Sequence, residues 1–171
     1  MNVTEAIKRR KSIRSYKAAA PVTDEQIKLL LEAAMLAPSA CNMRPWEFAV
    51  IRNRELLEKI TALHPYTAML KTASAAIIVL ADLELKNNIS EGFFPQDCGA
   101  ATQNILLQAV DLGLGTCWCG VYPKEDKVEA FRKLLDLPQN LVPFNVIALG
   151  VPNEEDGSRG FYEETKVRWF K

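Results

Sequence analysis

Several things are scarce in this 171-residue sequence, and each scarcity removes a class of function. There is one histidine, His64, and the four cysteines (Cys41, Cys98, Cys117 and Cys119) contain no CxxC pair. A zinc site normally needs four N or S ligands at recognisable spacing, so neither a metal centre nor a disulfide scaffold is expected. A Cys/His nucleophile pair would have to recruit His64, and no spacing places it beside a thiol. Net charge is also missing: 21 Lys plus Arg balance 21 Asp plus Glu. Proteins that coat nucleic acid carry a strong basic excess, and aromatics at 8% are too few for a base-stacking platform. The longest apolar run, Ala75 to Ala81, is far below the roughly 20 residues of a membrane span. The first residues are charged by Glu5 and lack an apolar leader segment. A soluble, cytoplasmic protein that binds neither nucleic acid nor membrane is the expectation. No G-x-G-x-x-G fingerprint, P-loop or G-x-S-x-G elbow is present.

What is present is ordinary in bulk and uneven in detail. The length favours a single domain over residues 1–171. Residues 8–17 read KRRKSIRSYK, six positive charges and no negative one, which leaves the rest of the chain at −6. Asn2 followed by Glu5 predicts a helix start running to about Lys11, and Thr23 with Gln26 predicts a second, ended by Pro38. Strands are expected at 46–51, 75–81, 116–121 and 144–151, and helices at 54–63, 68–72, 97–112 and 126–135. Gly113 would be the left-handed residue closing the long helix. Strands separated by helices predict an α/β or α+β three-layer fold around a central mixed sheet.

Three segments carry polar chemistry. Arg10, Lys11, Ser12 and Arg14 suit a phosphate: Arg offers a bidentate fork, Lys a point charge and Ser a compact donor. The same cations would also sit well at a helix C-terminus with no ligand at all. The run from Ala37 to Trp46 packs small residues, two prolines and Asn42 into a rigid helix-to-strand connection. Around Cys117 to Pro123, Gly120 at a strand end can expose backbone N–H groups to a ligand edge.

Taken in order, RRKSIRSY at 9–16, APSACNMRPW at 37–46, DCGAATQNILLQAVDLGLGTCWCG at 97–120 and KVRW at 166–169 resemble the nitroreductase-like family of FMN-dependent oxidoreductases over nearly the whole chain. The resemblance implies an intertwined homodimer with FMN at the interface and NAD(P)H as reductant. It implies that Arg10, Lys11, Ser12 and Arg14 hold the FMN phosphate and ribityl chain, with Lys166 and Arg168 closing on the same phosphate. Pro38, Ser39, Ala40 and Asn42 would come from the partner subunit, and the backbone at Cys119 and Gly120 would meet the isoalloxazine edge. Hydride would pass from NAD(P)H to a nitroaromatic, quinone or similar acceptor in a ping-pong sequence, and no catalytic side chain is implied. Other flavin reactions, or a non-catalytic FMN-binding module, fit the same blocks. Members commonly have Gln where this chain has Arg44, and residues 82–94 are short where larger members insert helices.

Overall fold

A computed structural model describes residues 1–18, 20–154 and 160–171. Four strands, β1 (Trp46–Ile51), β2 (Ala75–Asp82), β3 (Gly115–Gly120) and β4 (Leu141–Gly150), form one sheet in the order β1-β2-β4-β3. Five α-helices flank it: α1 (Val3–Arg9), α2 (Asp24–Met35), α3 (Arg54–Leu63), α4 (Phe94–Asp111) and α5 (Glu125–Leu134). Helix α4 crosses one face against β1, β2 and β3, with α1 and α2 packed outside it. On the other face lie α3, α5 and a 3₁₀ segment, Pro65–Lys71. The result is the expected three-layer α+β fold.

Local signals account for most of these elements. Asn2 Oδ1 accepts the Glu5 N–H, Asn53 Oδ1 accepts that of Leu56, and Thr23 with Gln26 forms a reciprocal capping box. Gly113 follows α4 with φ +70°, a conformation that costs a residue without Cβ nothing. Strand β2 is buried along Ala75–Ala81, because helices cover both of its faces.

Two expectations need correction. The sheet is antiparallel in all its strand pairs, and parallel pairing is confined to the isolated Ser12–Thr116 bridge. Three elements also begin three residues early, the first being the 3₁₀ segment Pro65–Lys71 where a helix is expected at 68–72, because His64 caps it and Pro65 fits its first turn. Helix α4 starts at Phe94 because Pro95, lacking an N–H, fits the first turn. Strand β4 starts at Leu141 because Pro143 sits where the register shifts at Val79/Leu80, the kind of irregularity where a missing ladder donor is tolerated.

The N-terminal segment is laid along the outer edge of the sheet. The Ile13 N–H donates to Thr116 O (2.8 Å), Lys17 N–H to Val151 O (2.9 Å), and Asn153 N–H to Ser15 O (2.9 Å). The buried Tyr16 hydroxyl donates to Ile13 O (2.8 Å). Gly115 and Gly150, paired across β3 and β4, make room for this. A Cβ on Gly115 would stand 2.9 Å from Ile13, and one on Gly150 would stand 2.8 Å from the Tyr16 ring. Gly150→Ala should therefore destabilise the fold by about 1–3 kcal/mol through overpacking, and Gly115→Ala by a similar amount. Urea unfolding of both variants checks this; unchanged midpoints would show that the slot has slack.

Candidate functional site

The sheet edge carrying this segment opens into a cavity of about 620 Å³, within the range of small-molecule sites. Its walls include Arg14, His64, Tyr66, the stretch Cys117–Lys124, and Lys127. Strand periodicity puts Cys117 and Cys119 on the same side of β3 and Trp118 on the other, tilted against Phe144 with ring centroids 6.0 Å apart.

The floor is fixed by hydrogen bonds to the backbone. His64 Nδ1 accepts the Tyr66 N–H at 3.3 Å, so the ring proton lies on Nε2, which donates to Gly120 O at 2.8 Å. The histidine is buried and serves as a brace between the 3₁₀ segment and the end of β3. The irregularity at Pro143 has a counterpart here. Phe144 O accepts both the Val121 and Tyr122 N–H groups (3.0 Å each), which turns the chain into the cavity wall. Tyr122 in turn meets the Phe94 ring edge-on at 5.0 Å.

The two thiols lie on one side of β3 and perturb each other's titration. Cys117 is brought down to about 7, first by the Cys119 thiol bonding to it, then by the charge of Arg14 and the Ser12 hydroxyl, against the effect of burial. Cys119 moves up, because Cys117 and burial both hold its proton. The Tyr66 carbonyl, 3.1 Å from Cys119 Sγ, offers that proton a second acceptor.

Arg14 owes its position to Glu154. That carboxylate accepts the backbone N–H groups of Arg14 (2.6 Å) and Ser15 (3.1 Å) and lies 3.7 Å from the Lys11 ammonium. The Arg14 amide bond is the main reason Glu154 titrates below the ordinary carboxylate range.

Of the residues anticipated from sequence, the structure gathers Arg14, Cys119 and Gly120 around the cavity. Ser12 lies alongside, bridged to Thr116, and Arg10 is two residues back along the same segment. Lys11 lines a neighbouring cleft of about 120 Å³. Pro38, Ser39, Ala40 and Asn42 lie outside the cavity walls, on a turn docked to α4 through the Ala40 N–H bond to buried Asp97 (2.9 Å). That turn holds Cys41, Asn42 and Arg44 at φ of 51°, 54° and 52°, costly for side-chain-bearing residues and typical of ligand-contacting segments. Arg44 steadies it, donating its backbone N–H to Ser39 Oγ (2.9 Å) and Nε to Asn42 Oδ1 (3.0 Å). Lys166 and Arg168 belong to an exposed tail with Phe161, Tyr162, Trp169 and Phe170, and Lys166 pairs with Glu163 at 2.7 Å. One chain therefore does not bring this turn or this tail to the cavity.

Sequence reasoning passed over His64, Tyr66, Lys124 and Lys127 as parts of the site. A His-Pro pair before a short helical segment marks a cap, and His64 does cap it. The two lysines read as the polar face of α5, and only the fold shows that this face borders a cavity.

If the Glu154 carboxylate anchors Arg14, its contribution is present above its ordinary pKa and is lost as pH falls through the lowered value. Glu154→Gln should flatten the acid limb of the stability–pH curve, and Glu154→Ala should also lower stability at neutral pH. Thermal unfolding from pH 3 to 8 measures both; superimposable curves would remove the anchor.

The model of the nitroreductase family matches residues 7–64 and 63–151. A protein of Methanothermobacter thermautotrophicus, provisionally named NADH dehydrogenase/NAD(P)H nitroreductase, is 51% identical over 98% of this chain and 86% of its own length. A crystal structure from Clostridium acetobutylicum, provisionally named an NADH oxidase, superposes with a TM-score of 0.91 at 42% identity, covering 97% of this chain and 99% of that one. A nitroreductase of Desulfovibrio desulfuricans, also provisionally named, was solved in complex with FMN. It matches with a TM-score of 0.84 at 33% identity, over 100% of this chain and 97% of its own.

Proposed function

The chain belongs to the nitroreductase family of oxidoreductases, and from that premise we propose that it binds FMN and moves hydride from NAD(P)H to a nitroaromatic, quinone or similar small acceptor. One observation carries this reading: the cavity is lined by aromatic rings, an exposed strand-end backbone and three cations, with no carboxylate in its wall among the described residues. That donor set fits a flat heteroaromatic ring bearing a phosphate. The Desulfovibrio relative solved with FMN supports the same ligand.

When bound, FMN supplies the hydride chemistry itself. The residues of this chain do the rest. Arg14 would hold the phosphate, with Arg10, Lys11 and Ser12 beside it on the same segment. Gly120 leaves the strand end open, since a Cβ there would meet nothing nearer than 3.9 Å, so a ring can approach the backbone. His64 keeps the Gly120 carbonyl turned away from the ligand, and Tyr66 and Tyr122 exclude water. No side chain is asked to relay a proton, which is why a single buried histidine is sufficient. The reductant and the acceptor would take turns in the one cavity, the ping-pong order.

The turn at 37–44 and the tail at 160–171 support an intertwined homodimer. Both are built for contact, the first by backbone strain and the second by exposed aromatics, and neither reaches the cavity of its own chain. Pro38, Ser39, Ala40 and Asn42 would then serve the partner's site, and Lys166 and Arg168 would close on the phosphate.

The purified protein should be yellow. A colourless protein that acquires no flavin spectrum with added FMN would refute the reading. Arg14→Ala and Arg168→Ala should each weaken FMN retention by about tenfold or more, the loss of a charge-assisted bond. Deleting residues 165–171 should reduce FMN content and dimer content together, read by absorbance and sedimentation; a truncated chain that stays dimeric and yellow would exclude the wrapping tail.

A further inference from the structure

The cations in the cavity wall enter from two directions. Arg14 comes from the N-terminal segment, while Lys124 and Lys127 come from the start of α5. The phosphate role proposed above uses the first of these and leaves the two lysines without one.

Lys124 is the N-cap residue of α5, and Lys127 stands three positions on, so both face the same way. Some surface lysines sit beside carboxylates: Lys28 is 3.8 Å from Glu32, Lys59 2.7 Å from Glu55 and Lys166 2.7 Å from Glu163. Among the described residues neither Lys124 nor Lys127 has such a partner, although Glu125 and Asp126 lie between them in sequence. Within α5, Glu129 pairs instead with Arg132.

Lys127 is placed by an aromatic ring. Its ammonium lies 5.7 Å from the centroid of Tyr66, a contact that orients the charge without neutralising it. No side chain caps the amide groups at the start of α5, and these add positive potential on the same side. Two ammonium groups without an ion pair among the described residues, beside Tyr66 and Tyr122, make a receptor for a ring that carries negative charge.

Resting on the oxidoreductase reading, we propose that Lys124 and Lys127 bind an anionic substituent of the electron acceptor, so that carboxylated or sulfonated nitroarenes and quinones are its preferred substrates. The charge of Lys127 is felt at Cys119, on the cavity floor. Beside the Tyr66 ring it would meet a substituent on an acceptor ring stacked there, whereas the phosphates of a nicotinamide nucleotide are several bonds removed from the reacting ring.

The test compares wild type with the K124Q/K127Q double variant on matched pairs: 4-nitrobenzoate against nitrobenzene, and 1,4-naphthoquinone-2-sulfonate against 1,4-naphthoquinone. In the variant, KM for the anionic acceptors should rise about tenfold, while the neutral acceptors, NADH and NADPH stay within about twofold. K124R/K127R should restore the anionic preference. Equal losses on charged and neutral acceptors, or a rise confined to NADH or NADPH, would overturn the assignment. Calorimetric titration with 4-nitrobenzoate needs no turnover. Wild type should bind it more tightly than the variant does, with the gap closing at high salt. Equal binding by the two would overturn the proposal on its own. A protein without flavin would end the oxidoreductase reading and leave the titration to decide about the lysines.

Discussion

Everything in the site depends on the N-terminal segment lying flat on the outer edge of β3. The contact is possible because Gly115 and Gly150 face each other across the strand pair and leave the space that Ile13 and Tyr16 fill. Backbone pairing to Thr116 and Val151 sets the register, and Glu154 gathers the Arg14 and Ser15 amides. Sterics give the segment its place, and hydrogen bonds give it a direction. Arg14 meets the cavity as a result of both. The segment also covers a sheet edge that would otherwise present unpaired backbone groups.

The opposite wall has a different logic. It is held by two side chains that bond to main chain, His64 to the Gly120 carbonyl and Cys119 to the Tyr66 carbonyl, and by the Phe144 carbonyl, which accepts the Val121 and Tyr122 amides. These bonds consume the polar capacity of the floor. They leave cations and aromatic surfaces as the groups that face the cavity. Pro143 is part of the same economy, since its missing donor is what lets the strand slip and present Phe144 in this way.

Elements with a local cause were legible in the sequence. Strand β1 and helix α3 fall at the expected 46–51 and 54–63, and the Thr23–Gln26 box opens α2 as expected. Pairing direction was not legible. A strand apolar on both faces, as β2 is, shows that two layers cover it and says nothing about its neighbours. The starts of α4 and β4 were obscured by prolines that read as breaks and are tolerated for specific reasons. In the site, Arg14, Cys119 and Gly120 could be read from motif blocks. His64, Lys124 and Lys127 could not, because a buried brace and an amphipathic helix face look alike with or without a cavity beside them.

The corner that holds Arg14 joins the two ends of the folding unit, with 140 residues separating that arginine from Glu154. During synthesis the sheet order also delays completion, since β4, the last strand made, inserts between β2 and β3. No early stretch of the chain holds a partial site that could trap a ligand prematurely. The Arg14 corner is therefore complete only after residue 154 has been made and β4 has entered the sheet.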